Sequence, residues 1–398
     1  MPSLPPHILI SGAGIGGLTA ATALAQMGAK VDVFEQAAEL QDIGAGLQQS
    51  ANAMHVHKAL GVADVVIARG FTPQNAVLRR YYSGNRLLRV QLGEAHKNRY
   101  GAPYIHIHRA DLQDILKSAA IDAGVNIHLG KAVTGYSQNT NSITLRYGNK
   151  TITGDALIGA DGIRSCLAAI INPDTPPPRF TGQAAWRGMV PRSALPANFI
   201  SPDANVWLGS GAHIVAYYVG GGEYINFVAV EEREKWADEG WSIAGDLDAL
   251  RRRFSEWDNR VTTLLAACQE TFLWGLFDRA PLPRWTDGRA TLLGDACHPM
   301  LPFMAQGAAC AVEDGYMLAA QIMKSNIDIP TALKRYEVLR KPRATKIQNR
   351  SVKNAAMFHH GRGTARTLRD IKFKIAQNIS AAQHSQFDWI YGYDATKI

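Results

Sequence analysis

Gly12, Gly14 and Gly17 are spaced as G-x-G-x-x-G between an apolar run, Ile8-Leu9-Ile10, and a run of small residues from Leu18 onward. That spacing suits a diphosphate. The first glycine permits a tight turn, the second lets the backbone approach a pyrophosphate, and the third packs helix against strand. The helix N-terminus then supplies amide donors and a partial positive charge. Gly16 lies in the same loop, and Glu35-Gln36 follow the next apolar run. A carboxylate at that position accepts from ribose hydroxyls and disfavours a ribose phosphate. The motif itself leaves NAD and FAD both open. Two later segments repeat the form of an apolar run leading into glycine and aspartate. They are Gly159-Ala160-Asp161-Gly162-Ile163-Arg164-Ser165 and Gly294-Asp295-Ala296-Cys297-His298-Pro299. Elsewhere, His213, Val215 and Tyr217 alternate, so on a strand they share one face. A histidine, with its ordinary pKa of about 6.5, is suited to moving a proton near neutrality.

The elements that must position these groups follow from the pattern. Residues 8–35 predict strand, helix, strand, with Gly28 ending the helix. Helices are predicted over 51–60 and 109–123, and a hairpin over 75–92 turning at Ser83-Gly84-Asn85. Strands over 142–147 and 151–153 flank Gly148-Asn149. Residues 173–178 hold four prolines in six residues, which forbids helix and central strand and marks a linker. Beyond it, strands are expected over 204–208, 213–219 and 224–230, then a long polar helix over 243–268. From Ala305 the pattern is helical almost to the end. The chain thus leaves one domain, builds a sheet and returns. Residues 1–72, 100–175 and 277–350 make the nucleotide-binding domain, 73–99 and 176–276 an inserted domain, and 351–398 a helical C-terminal segment.

Hydrophobic residues at 46% and charged residues at 19% of 398 residues are ordinary for a water-soluble globular protein. No apolar run approaches the roughly 18–20 residues that span a bilayer, and the first apolar run is too short for a secretory signal. A cytoplasmic location without membrane partners is expected. The four cysteines have neither metal-ligand nor redox spacing, and no metal is expected. Much of the +8 formal charge falls between Lys334 and Lys374. We read it as a solvated helical face with modest attraction for anions rather than a nucleic-acid surface, since no zinc finger, RNP-like strand or basic zipper accompanies it.

The two aspartate segments resemble the "DG" and "GD" fingerprints of the class A flavoprotein aromatic hydroxylases. His108-Arg109-Ala110-Asp111-Leu112 resembles the arginine-bearing helix start of that family. The three occur in the family order, and the likeness runs from Ile8 to about Arg343. Gly44-Ala45-Gly46-Leu47 and Met304-Ala305-Gln306-Gly307-Ala308 are most similar to the salicylate, 3-hydroxybenzoate and 6-hydroxynicotinate hydroxylase branch. The resemblance implies a para-hydroxybenzoate-hydroxylase-like α/β fold: a Rossmann-like FAD-binding domain, an inserted β-sheet substrate domain and a helical C-terminal region. It implies bound FAD, with Arg109 at the pyrophosphate or nearby flavin groups, Asp295 at the ribityl chain, and Asp161 beside the cofactor. Gln306, Gly307 and Ala308 would start a helix able to approach a flat ring and stabilise negative charge there. NADH or NADPH would visit transiently, because only one dinucleotide fingerprint is present. O2 and a small phenolic or hydroxypyridine-type acid would be the other reactants, through a flavin hydroperoxide.

In that branch a strand histidine is the phenol base, which assigns the role to His213, with Tyr217 orienting the substrate. Leu47, Val215, Pro302 and Phe303 would line the pocket. The chain departs from the branch at Pro302-Phe303, where relatives carry glutamine at the first position or histidine at the second, so the named substrates do not transfer directly. The sequence is compatible with a monomer or a homodimer. It leaves open an epoxidase or a hydroxylase of a non-phenolic substrate, and a flavin-binding protein without turnover. His298 follows the cofactor strand and is read as structural.

Overall fold

Ile8, Leu9 and Ile10 are wholly buried because their strand is covered on both faces, and such a strand reads as a continuous apolar run. In the computed structural model, which describes residues 4–40, 46–236, 243–359, 363–378 and 380–397, this strand is β1 (His7–Ser11). The glycine turn leads into α1 (Ile15–Gln26) and β2 (Lys30–Phe34). Then come β3 (Gly46–Gln49) and α2 (Ala51–Ala59), the hairpin of β4 (Asn75–Arg80) and β5 (Arg86–Gln91), β6 (Ile105–His108) and α3 (Arg109–Asp122). After β7 (Ala156–Gly159) the chain enters four long strands: β8 (Arg179–Pro191), β9 (Ala204–Gly209), β10 (Ala212–Val219) and β11 (Tyr224–Glu232). Helices α4 (Leu247–Arg253) and α5 (Asn259–Ala267) precede β12 (Phe272–Asp278) and β13 (Ala290–Leu292). The last part is helical: α6 (Gly307–Ile322), α7 (Ile329–His359), then Gly363–Asn378 and Ser380–Tyr391.

Two sheets carry the architecture. The first runs Thr286–Asp287, β13, β7, β1, β2, Asn126–His128, and is parallel except at its Thr286–Asp287 edge. Its register aligns Ser11 with Gly159 and Phe34, and Gly159 with Leu292. The residues that follow those four therefore emerge along one edge. The second sheet has eight strands in the order Ile243–Ala244, β12, β8, β11, β10, β9, β4, β5. One of its faces packs Trp186, Ile214, Ala216 and Phe227 onto Leu250, Phe254 and Leu264 of α4 and α5. Its other face turns toward the helices and loops of the first sheet.

Two expectations are corrected, and one strand is added. The helix expected over 243–268 is two helices, because Asp246 and Asp258 each cap a new N-terminus by accepting amides of Asp248 and Ala249, and of Arg260. The longest strand, β8, was not foreseen: Gly182 sits in it at φ +77° and a bulge separates Phe180 from Ala184, so its alternation is broken. The basic stretch after Lys334 is not all solvated face. Arg340 is fully buried between Glu313 and Asp314, and Arg343 reaches Glu313 at 2.7 Å.

Candidate active site

The edge of the first sheet is built by backbone constraint. Gly12 has φ +105°, and a Cβ there would stand 2.4 Å from the Ala160 carbonyl oxygen; a Cβ on Gly17 would stand 2.1 Å from that of Gly12. Gly16 lets α1 close on Leu293 and Ala311 of the later segment. Gly14 differs: a Cβ there would meet nothing within 4 Å, and no side chain caps the helix that follows. The second glycine of the motif thus opens onto free space while its neighbours pack. Glu35 accepts the amides of Ala13 at 2.8 Å and Ala37 at 2.9 Å, which fixes its carboxylate beside the turn. Gln36 is exposed next to it.

Asp161 and Asp295 reach the same edge from β7 and β13. Asp161 accepts the amide of Cys166 through Oδ2 at 3.1 Å, while Oδ1 is enclosed with no partner. Burial raises its pKa, against hydrogen bonds from Ser165 and the helix start. Asp295 is exposed. Surrounding protein nonetheless pushes its carboxyl up, opposed by the charges of His298 and Arg109. Arg109, exposed at the first turn of α3, is within charge reach of Asp295 and also of Arg187 on β8.

Ala305 takes φ +51° and turns the chain into α6. Gly307 and Ala308 are half-buried at its start, and a Cβ on Gly307 would meet only Met300, at 3.8 Å. Gln306 immediately precedes that helix and is held from inside. Its side-chain amide is buried, donating to Ser50 Oγ and accepting from Asn52. Behind it lies a sealed ionic network. Glu313 accepts from Asn52, Arg340 and Arg343, and Asp314 accepts from Arg340 at 2.6 Å and pairs with His298 at 2.5 Å. Burial alone would push Asp314 up, but His298 and Arg340 outweigh it and bring its pKa to about 2. Breaking such a network costs about 3–5 kcal/mol, because a charge is left buried and unpaired. Cys297, His298 and Asp314 lie close enough to share a cation, but both Asp314 oxygens are already engaged. His298 works here as a structural group.

Across the crevice, the second sheet presents His213, Val215 and Tyr217 on one face. The intervening Ile214, Ala216 and Tyr218 go to the opposite core. His213 is buried against Phe303 and Phe358, each ring 5.2 Å away. Its Nδ1 lies 3.0 Å from His359 Nε2, and His359 Nδ1 lies 3.0 Å from Glu232 Oε1, whose side chain is 58% exposed. His213 Nε2 has no hydrogen-bond partner among the described residues. Burial, then His359, holds the His213 pKa well below its usual value. Tyr217 is buried with its ring 4.5 Å from His106, close to Gly46, where a Cβ would stand 2.7 Å from the phenol oxygen. Burial raises its pKa, while Arg187 and a hydrogen bond with Gln48 pull the other way. Leu47 is half-buried on β3, Val215 half-buried beside Phe358, and Pro302 exposed, while Phe303 is buried against His213. Gly44 and Ala45 lie outside the described residues.

The two sides meet: Arg109 is sensed by both Asp295 and Arg187, and Arg187 by Tyr217. Sequence reasoning missed Arg187 and His359. A lone arginine inside the apolar run Ala184-Ala185-Trp186-Arg187-Gly188-Met189-Val190 was a usable signal for the first. Nothing local marks His359, 146 residues from its partner.

The chain belongs to the family whose model is described as FAD binding domain, which matches residues 6–351. It is 35% identical to 3-amino-4-hydroxybenzoate 2-monooxygenase PtnB3 of Streptomyces platensis, over 99% of this chain and 97% of that one. It is 32% identical to 3-hydroxybenzoate 6-hydroxylase 1 of Aquipseudomonas alcaligenes, over 98% of each. A solved salicylate hydroxylase substrate complex superposes with a TM-score of 0.83 at 28% identity, covering 99% of this chain and 97% of that one. The chain is an FAD-dependent monooxygenase of the aromatic hydroxylase type. FAD fits the residues present. The free space at Gly14, the uncapped start of α1 and the orphaned oxygen of Asp161 all await polar partners at one sheet edge. Among the described residues no helix is long and apolar enough to cross a membrane.

Proposed function

We propose that this enzyme uses NADH or NADPH and O2 to hydroxylate a small phenolic or hydroxypyridine-type acid, with His213 as the base and Tyr217 orienting the ring. FAD, when bound, supplies the redox and oxygen chemistry. Gly12, Gly14, Gly16 and Gly17 with the start of α1 would hold its diphosphate. Glu35 keeps lone pairs for ribose hydroxyls after accepting two amides, with Gln36 beside it. Arg109, Asp161, Asp295 and the backbone of residues 306–308 would hold the remainder. In this reading residues 1–72, 100–175 and 277–350 form the FAD side, 73–99 and 176–276 the substrate side, and 351–398 a cover. Both curated relatives are named for acids bearing a phenol and a carboxylate on one ring.

The histidine chain carries the reading. Glu232 can only accept, so His359 donates from Nδ1, and in its neutral form it accepts at Nε2. His213 then donates from Nδ1, which leaves a lone pair on Nε2. Being neutral at working pH, His213 is ready to take a phenol proton and pass one through His359 to exposed Glu232. Phe303 and Phe358 keep bulk water off the ring.

A stopped-flow screen tests this. The holoenzyme is mixed with NADH in the presence of hydroxylated benzoates and pyridines, and flavin bleaching and oxygenated product are followed. At least one such acid should accelerate bleaching and give product stoichiometric with O2 consumed. Bleaching indifferent to every acid, with O2 recovered only as peroxide, would sink the reading.

A further inference from the structure

Arg187 stands within β8, partly exposed, and among the described residues makes neither a side-chain hydrogen bond nor an ion pair. Its Nε is enclosed without an acceptor, and its guanidinium lies over the Trp274 ring at 3.8 Å. An arginine held inside a protein is normally paired, since burying a lone charge is costly. Here the neighbours within charge reach are Tyr217 and Arg109, and a second cation makes the want of an anion greater. Burial and Arg109 lower its pKa to about 9, with Tyr217 opposing, so the guanidinium remains charged near neutrality. Ion pairing therefore waits for a ligand.

The register says where that ligand's charge must sit. His213 pairs with Val230, Val230 with Ala185, and Arg187 is two residues beyond Ala185 on the same face. Two strand spacings and two residues put the His213 and Arg187 backbones ~12 Å apart. Tyr217 pairs with Asn226 and Asn226 with Met189, so Arg187 lies in the row midway between His213 and Tyr217. The three side chains form a triangle on one sheet face. Trp274 pairs with Ala185, so the guanidinium leans one strand further out from the His213 strand.

We infer that Arg187 binds the carboxylate of the aromatic substrate, and that the acid it accepts carries its ionisable hydroxyl meta or para to that carboxylate, not ortho. This rests on the reading of His213 as the phenol base. An ortho acid holds hydroxyl and carboxylate on adjacent ring carbons, too close to address groups two strands apart. A meta or para acid holds them across the ring, with the phenol at His213 Nε2 and the carboxylate on the planar fork of Arg187. A fork donates two parallel hydrogen bonds to a carboxylate and resists replacement by lysine.

The test uses the FAD-loaded enzyme and titrates the flavin absorbance with 3-hydroxybenzoate, 4-hydroxybenzoate, 3-amino-4-hydroxybenzoate, 2-hydroxybenzoate and 4-hydroxybenzamide. Meta and para acids should bind roughly 100-fold tighter than the neutral amide, and tighter than the ortho acid. Arg187→Gln should abolish the preference for acid over amide while leaving FAD content and amide affinity unchanged, and Arg187→Lys should restore only part of it. Equal binding of acid and amide by the native enzyme overturns the inference, as does tightest binding of the ortho acid. So does an Arg187→Gln enzyme that loses FAD or weakens both ligands alike. NADH reduction accelerated by the acids would still support the hydroxylase reading in those cases. If no acid perturbs the flavin or speeds its reduction, both readings fall together.

Discussion

At the scale of single residues, the base and its proton path can be separated by experiment. His213 contributes its lone pair only while neutral, and its burial keeps it so at ordinary pH. His213→Ala should lower turnover about 10²–10⁴-fold near pH 7, the usual weight of a positioned base. Turnover should recover as pH rises toward the phenol's own ionisation, because hydroxide then replaces the histidine. A loss that stays flat with pH would assign His213 to packing against Phe303 and Phe358 instead. Glu232 stands at the solvent end of the chain with its side chain 58% exposed, so water can take over much of its task. Glu232→Gln should therefore cost only a few-fold. It should still move the kcat pH profile, since an amide offers His359 an acceptor without the charge that stabilises an imidazolium. An unchanged profile would show that protons leave by another way.

At the scale of elements, the strand–turn–helix at the start of the chain divides its glycines into two kinds. Gly17→Ala drives a methyl against the Gly12 carbonyl oxygen, so the apoprotein itself should lose about 2 kcal/mol or more, read from its thermal melt. Gly14→Ala meets no protein atom within 4 Å, and its φ of −72° suits any residue. Its apoprotein should melt within about 0.5 kcal/mol of the native one, while FAD retained through gel filtration falls. Equal apoprotein stability for the two variants would refute that division. This turn was legible in the sequence because every constraint on it is local: turn, helix start and Glu35 lie within one short stretch. The hairpin at Ser83-Gly84-Asn85 was legible for the same reason. Strand β8 was not, since Gly182 and the bulge break its alternation and its pairing is set by β11 and β12. Nor was the break at Asp246 and Asp258, where capping aspartates read as ordinary polar positions of one helix. In the site, the cofactor edge could be foreseen from motifs. Arg187 and His359 acquire their meaning only from partners that tertiary packing brings to them.

For the molecule as a whole, the interior holds histidines that folding keeps neutral, and this sets how stability responds to acid. His57 and His106 are completely buried, and burial lowers their pKa values to about 4 and about 3. His57 has one partner, Gln49; the His106 ring nitrogens lack one at good geometry, and only a weak contact with the Tyr218 backbone opposes the effect of burial. In the unfolded chain both titrate at about 6.5. Below that value the unfolded state binds protons that the folded state refuses, so stability falls with pH. Their contribution is complete above about 6.5 and declines toward pH 4, at up to about 1.4 kcal/mol per pH unit for each histidine. Asp314 acts in the same direction further down, between its ordinary value and about 2. His298 has the opposite sign: Asp314, outweighing burial, raises its pKa, so its contribution is present in acid and fades as pH rises through that raised value. Denaturant melts of the substrate-free enzyme at pH 7 and pH 5 should thus show a clear loss at the lower pH. His57→Gln should make that loss smaller, by about the slope of one histidine, even where its stability at pH 7 is reduced. If the variant loses as much between the two pH values as the native enzyme does, His57 is not held neutral by the fold, and the acid response comes from other groups.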